Sequence, residues 1–147
     1  LRGSPLSAPT AFDLFSLRAL RVGDGNGLYD IAIDTAGGAA VLYPSQLIDI
    51  EAPRTGVIES TATFESIGEA PTTGYQDTAA VSVSIGETVI VRARNVCSGS
   101  IPGRDFFHAK LQLLELGTSG GFRTARFRIR TNPNCGFRSF ADGLPEF

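Results

Sequence analysis

Apolar and polar residues alternate one for one through much of this chain, and a period of two describes a strand with one face buried and one wet. Val81, Val83 and Ile85 alternate with Ser82 and Ser84. Ile58, Ser60, Ala62 and Phe64 alternate in the same way with Glu59, Thr61, Thr63 and Glu65. No segment keeps a helical period over three turns, and glycines at 37, 38, 86, 103, 117, 120 and 121 supply the breaks. The pattern predicts an all-β fold, an antiparallel meander forming a sandwich or a partly open barrel. Strands are expected near residues 12–21, 28–34, 39–43, 46–50, 57–67, 79–85, 88–96, 106–116, 122–131 and 136–140. Residues 1–11 carry Gly3, Pro5 and Pro9 among small polar neighbours and read as an extended N-terminal arm. Residues 12–147 then form a single domain, the usual outcome for a chain of 147 residues.

The C-terminal half lays out as three consecutive strands, 88–96 up, 106–116 down and 122–131 up. Cys97 then falls just past the first strand and Cys135 just past the third, at the same end of the sheet, which is where a disulfide can form. Closing that loop restrains the unfolded chain by roughly 4 kcal/mol on the chain-entropy model. The same layout sorts side chains by face. Phe107, Ala109, Leu111, Leu113, Phe127 and Ile129 point one way; His108, Lys110 and Gln112 point the other. Arg92 and Arg94, with Arg126, Arg128 and Arg130, join Lys110 on that second face, a candidate surface for an anion or a partner. The plainer reading is a solvated face with cross-strand pairs to Glu87 and Glu115.

Composition narrows the function classes. With 42% hydrophobic and 19% charged residues the chain is neither disordered nor membrane-like. Its longest apolar runs fall far short of the ~20 residues of a membrane helix, so no membrane span is expected. The chain has no Met, even at position 1, the pattern expected after removal of an export signal. Cloning scars at residues 1–4 and 145–147 are the alternative. Together with the cysteine pair, this points to a secreted, extracellular or cell-surface location. Residues 1–75 hold nine acids and four bases, whereas residues 76–147 hold six acids and nine bases. Opposed poles suit head-to-tail association of copies or capture of an acidic ligand, and equally internal neutralisation.

Catalytic and cofactor signals are weak. Asp24, Gly25, Asn26 and Gly27 resemble part of a calcium loop but lack its third oxygen ligand and distant Glu, and a tight turn needs the same residues. His108 is the only histidine and has no triad partner near it in sequence. No carboxylate pair, phosphate loop or dinucleotide fingerprint is present. The basic face lacks interleaved aromatics and the pI is about 5.3, so nucleic acid is not an expected partner. No metal and no cofactor are expected, and the chain reads as a non-enzyme.

One stretch carries a family pattern. Residues 61–75 (TATFESIGEAPTTGY) resemble the phenylalanine, Ala-Pro and Gly-Tyr segment of the HmuY-like haemophore family. Residues 87–95 (ETVIVRARN), 107–111 (FHAKL) and 122–130 are similar to three later strands of that family; 12–15 (FDLF) and 29–33 (YDIAI) are similar to its first two. The resemblance implies an all-β fold in a secreted or surface-anchored bacterial protein, and it raises haem binding. The family's best-known members hold haem iron between two histidines, with methionines in some relatives. This chain has one histidine and no methionine, so that ligand set is not available to it.

Two functions remain open at this point. The first is a structural or adhesive surface subunit that partners copies of itself as a homo-oligomer or filament. In it the arm, or the alternating strand with Phe12, Leu14, Phe15 and Leu17, would add to a neighbour's sheet edge. The second is a secreted module that binds haem, an anionic small molecule or an anionic glycan.

Overall fold

The alternating pattern becomes nine strands and one short 3-10 turn in the computed structural model, which describes residues 11–20, 29–49, 54–93, 97 and 106–141. The strands are β1 (Ala11–Asp13), β2 (Arg18–Leu20), β3 (Ile31–Ala36), β4 (Ala39–Pro44), β5 (Thr55–Ser60), β6 (Val81–Ser84), β7 (Thr88–Ala93), β8 (Phe107–Ser119) and β9 (Phe122–Asn132). They form two antiparallel sheets, β2-β1-β3-β4-β6 and β5-β7-β8-β9, stacked as an open sandwich. The expected all-β fold is therefore observed, as a sandwich rather than a closed barrel.

The core lies between the sheets and uses one parity of each strand. Ile31, Ala40, Leu42, Val81 and Val83 come from the first sheet; Val57, Val89, Val91, Phe107, Ala109, Leu111 and Leu113 come from the second. Burying one such side chain is worth ~2 kcal/mol, so this two-sided layer is the main favourable term. The meander β7-β8-β9 is as expected, and Cys97 and Cys135 are bonded beyond its ends with Cα atoms 5.7 Å apart.

Within β8 the register with β9 slips by one residue between Leu113 and Glu115. Leu114 is the extra residue of this β-bulge and is exposed. The bulge keeps Glu115 opposite Arg126 on the outer face and Leu116 opposite Ala125 toward the core.

Four expected strands differ from the observed ones. Within the expected strand 12–21, the described residues 12–20 belong to a hairpin, not one strand. The Asp13 carboxylate accepts the N–H groups of Phe15 and Ser16 and the Ser16 hydroxyl, an Asx-type turn that reverses the chain, with Leu17 at φ 55°. An assembly strand running through Phe12, Leu14, Phe15 and Leu17 is thereby corrected: only Phe12 lies in a strand. Leu14 is a core residue, Phe15 stacks edge-on against Phe107, and Leu17 is exposed. Of the expected strand 46–50, the described residues 46–49 form no strand, and Ser45–Leu47 is the 3-10 turn. β5 ends at Ser60, because Phe64 and Ile67 leave the ladder to cover the sheet from outside. Residues 136–140 contribute a single bridge, Ser139 to Glu69. Of the expected arm, only Ala11 is described, and it opens β1; the Asp24 to Gly27 loop lies outside the described residues.

Candidate functional site: the outer face and free edge of the second sheet

Strand parity brings the predicted basic residues together. Across the outer face Ile90 pairs Lys110 and Lys110 pairs Arg130; Arg92 pairs His108 and His108 pairs Asn132. Gln112 pairs Arg128, and Glu115 pairs Arg126. Arg94 lies outside the described residues.

Much of this face is not solvated, which corrects the expectation for Lys110. Two segments, residues 61–77 and 133–141, lie over it as a third layer. They bond to each other through Ala70 N–H to Arg138 O at 2.8 Å and Phe140 N–H to Gly68 O at 2.9 Å. Ile67, Ala70 and Phe140 pack on Ile90 beneath them, with Ile58 and Tyr75 at the margin.

The basic side chains are the fasteners of that layer. Lys110 is buried, donates to the carbonyls of Phe64 and Ile67, and sits 4.4 Å from the Phe64 ring centroid and 5.5 Å from that of Phe140. Burial, with Arg130 and Arg128 nearby, moves its pKa below the usual lysine range. Arg92 lies between the rings of Tyr75 and Phe106, 4.6 and 4.7 Å from their centroids. Arg128 pairs with Glu65 and covers the Phe64 ring, and Arg126 pairs with Glu115 at 2.9 Å. Arg130 donates to Ala141 O. Arg138 joins Glu69 at 2.6 Å and Ala70 O at 2.7 Å. Of the plainer reading, a solvated face with cross-strand pairs to Glu87 and Glu115, the Arg126–Glu115 pair is present, while Glu87 accepts the Ser84 N–H and the covering layer takes much of the face out of solvent.

The motif at 61–75 has a local physical role in the same layer. Tyr75 donates to Pro71 O at 2.8 Å and lies across Gly56, where a Cβ would come within 2.7 Å of Tyr75 Cβ. Gly74 has φ 95°, which favours glycine, and its position faces Ile58. His108 is buried, and its Nδ1–H donates to Phe137 O at 3.0 Å. Burial moves its pKa down, partly offset by that carbonyl and reinforced by Arg138 and Arg92. An imidazole so enclosed, with no second histidine and no methionine in the chain, does not fit axial ligation of haem.

The sheet edges differ from one another in openness. β2 and β6 are three and four residues long. β5 is blunted by Gln76, whose N–H and C=O both bond Val57. Gln46 blunts it further: its amide accepts Thr55 N–H and donates to Thr55 O and Asp77 O. Sequence reading missed Gln46, because a glutamine imitating a strand leaves no periodic trace. β9 is eleven residues long, and among the described residues no strand pairs its outer side.

Which groups that edge presents follows from parity. Leu113 exchanges bonds with Gly86 and Glu87 on the β7 side, so odd residues of β8 up to the bulge face β7 and even ones face β9. Their partners Arg128, Arg130 and Asn132 face β8, leaving the backbone groups of Ala125, Phe127, Ile129 and Thr131 directed outward. The side chains of Phe127 and Ile129, although turned toward the core, are only half-buried, as is Phe12 in the facing sheet. The core is thus thinly covered along this side.

Comparison with protein-family models, with curated proteins and with solved structures returned no match.

Proposed function

We propose that this protein is a non-enzymatic extracellular structural or adhesive subunit that associates with copies of itself by strand addition at β9. The observation that carries the reading is the long β9 edge, unpaired among the described residues, beside half-buried Phe127 and Ile129. Long edges are normally shortened, charged inward or covered, and the other three edges of this fold follow that rule. A heterologous contact of this kind need not close and can propagate as a filament. The Cys97–Cys135 bond supports an oxidising, extracytoplasmic setting. The resemblance to the HmuY-like family supports a bacterial surface location, without its haem chemistry. Anion capture is less favoured, because the basic side chains already hold carboxylates, carbonyls or rings.

The test is light scattering and negative-stain microscopy across a concentration series, for the full chain and for Ala125→Pro. The Ala125 N–H points away from β8, so proline there spares the internal ladder while blocking the edge. Assembly of the full chain that is lost in Ala125→Pro is expected; a full chain that stays monomeric at high micromolar concentration refutes the proposal.

A further inference from the structure

We infer that the layer of residues 61–77 and 133–141 is an acid-released cover over the outer face of the second sheet, with His108 as its latch. The cover lies on the face of the sheet and not at its edge, so it stands whether or not β9 joins neighbouring copies.

The layer is fastened in a way that lets it lift. Among the described residues its two segments share one bridge, Glu69 to Ser139, and no longer ladder. Gly136 N–H reaches Phe106 O at 2.7 Å beside the disulfide. Beyond Gly136, three side chains of the sheet donate to the segment. His108 Nδ1–H bonds Phe137 O at 3.0 Å, Asn132 Nδ2–H bonds Ser139 O at 2.9 Å, and Arg130 bonds Ala141 O at 3.1 Å. Lifting the segment from Phe137 onward breaks these bonds and leaves the β7-β8-β9 ladders whole. The Cys97–Cys135 bond holds the start of the segment throughout, which keeps the opening local and reversible.

Of the three donors only His108 changes charge near neutral pH. A carbonyl oxygen only accepts, so Nδ1 carries the hydrogen in the bond to Phe137 and Nε2 is the atom that takes a second proton. His108 is buried, and the elements packed on it bring cations or neutral groups. β7 places Arg92 opposite it, β9 places Asn132 opposite it, and Lys110 follows it along the same face of β8. The layer brings Arg138 and the Tyr75 ring, whose centroid is 6.4 Å away. Burial pushes the Tyr75 phenol up to about 12, so it is neutral wherever the imidazole titrates. The layer's acids are engaged elsewhere, Glu69 with Arg138 and Glu65 with Arg128.

A protonated imidazole is therefore a buried cation among cations. Burial, reinforced by Arg138 and Arg92 against the Phe137 carbonyl, holds its pKa below the ordinary 6.5 while the layer is closed. Once the layer lifts, water reaches the ring and it titrates near 6.5. The lifted form binds more protons, so the closed form loses stability as pH falls through about 6.5.

Hydrogen exchange at pH 7.5 and pH 5.0, corrected for the pH dependence of the chemical step, tests this on the wild type and on His108→Asn. Asparagine supplies an amide N–H toward Phe137 O and takes no proton in this range. In the wild type, protection of the Ala70 and Phe140 N–H groups should fall at least about fivefold at the lower pH, while amides of β7 and β8 keep theirs. His108→Asn should show no such fall. Unchanged protection in the wild type, or an equal fall in His108→Asn, overturns the inference. The chain has a single histidine, so NMR titration of its ring in the wild type gives a second reading. A midpoint below 6.5 is expected; one at or above 6.5 overturns the inference even where His108→Asn fails to fold.

Discussion

Asp30 shows how much one carboxyl is asked to do in this fold. It is 1% exposed at the entrance of β3, and its Oδ2 accepts the Leu14 N–H at 2.7 Å, tying the β1–β2 turn to the first sheet. Its backbone joins Phe12 O and Ser45 N–H, while Oδ1 has no partner among the described residues. Burial lifts its pKa to about 7 against the lowering effect of Leu14 N–H, with Asp13 adding to the rise. An acid whose folded pKa lies above its unfolded value binds the extra proton in the folded state. Its contribution is therefore full below about pH 4 and is lost as pH rises through about 7. Stability should fall between pH 5 and pH 8, within an overall span on the order of 4 kcal/mol. Asp30→Asn keeps an acceptor for Leu14 and should flatten that slope, as read from urea midpoints at the two pH values. Wild-type and variant midpoints that change in parallel would discard this role.

Between the residue and the whole stands the third layer, and Lys110 is its central fastener. Replacing it with methionine keeps the stem but leaves the carbonyls of Phe64 and Ile67 without their donor. An unsatisfied buried acceptor costs about 1–3 kcal/mol, so Lys110→Met should destabilise by roughly that amount or somewhat more. Hydrogen exchange should rise in residues 61–77 well before it rises in β7 or β8; uniform acceleration across the sheet would count against the fastener role. This layer also marks the limit of what the sequence made legible. Alternation at Val89, Val91, Leu111 and Leu113 located the core strands and their inward parity, and the meander put the two cysteines at one end. The same alternation continued through Ala62 and Phe64 and so misread a covering loop as strand, because period two reports which residues are buried, not whether a neighbouring strand buries them. Arg92, Arg128 and Lys110 were assigned to the correct face. Their partners Tyr75, Phe106, Glu65 and the Phe64 carbonyl were not, since these contacts join residues distant in sequence with no shared period.

For the molecule as a whole, the Cys97–Cys135 bond spans 38 residues and ties the end of β7 to the chain beyond β9. A loop of that size corresponds to about 4 kcal/mol of stabilisation on the chain-entropy model. The double variant Cys97→Ser, Cys135→Ser should lose a comparable amount, read as a drop in the urea midpoint with an unchanged native spectrum; a loss below about 1 kcal/mol would exclude this contribution. The bond acts at one end of the sandwich, and the bulge at Leu114 acts toward the other. Up to Leu113 strand β8 is written odd-in and even-out; from Glu115 to its end it is written even-in and odd-out. The doubled leucine is thus a one-letter frameshift in a two-letter code. Straightening the bulge with Leu114 retained would send Glu115 between the sheets and Leu116 into solvent, whereas deleting Leu114 would leave a regular ladder with Glu115 still opposite Arg126 and Leu116 still turned inward.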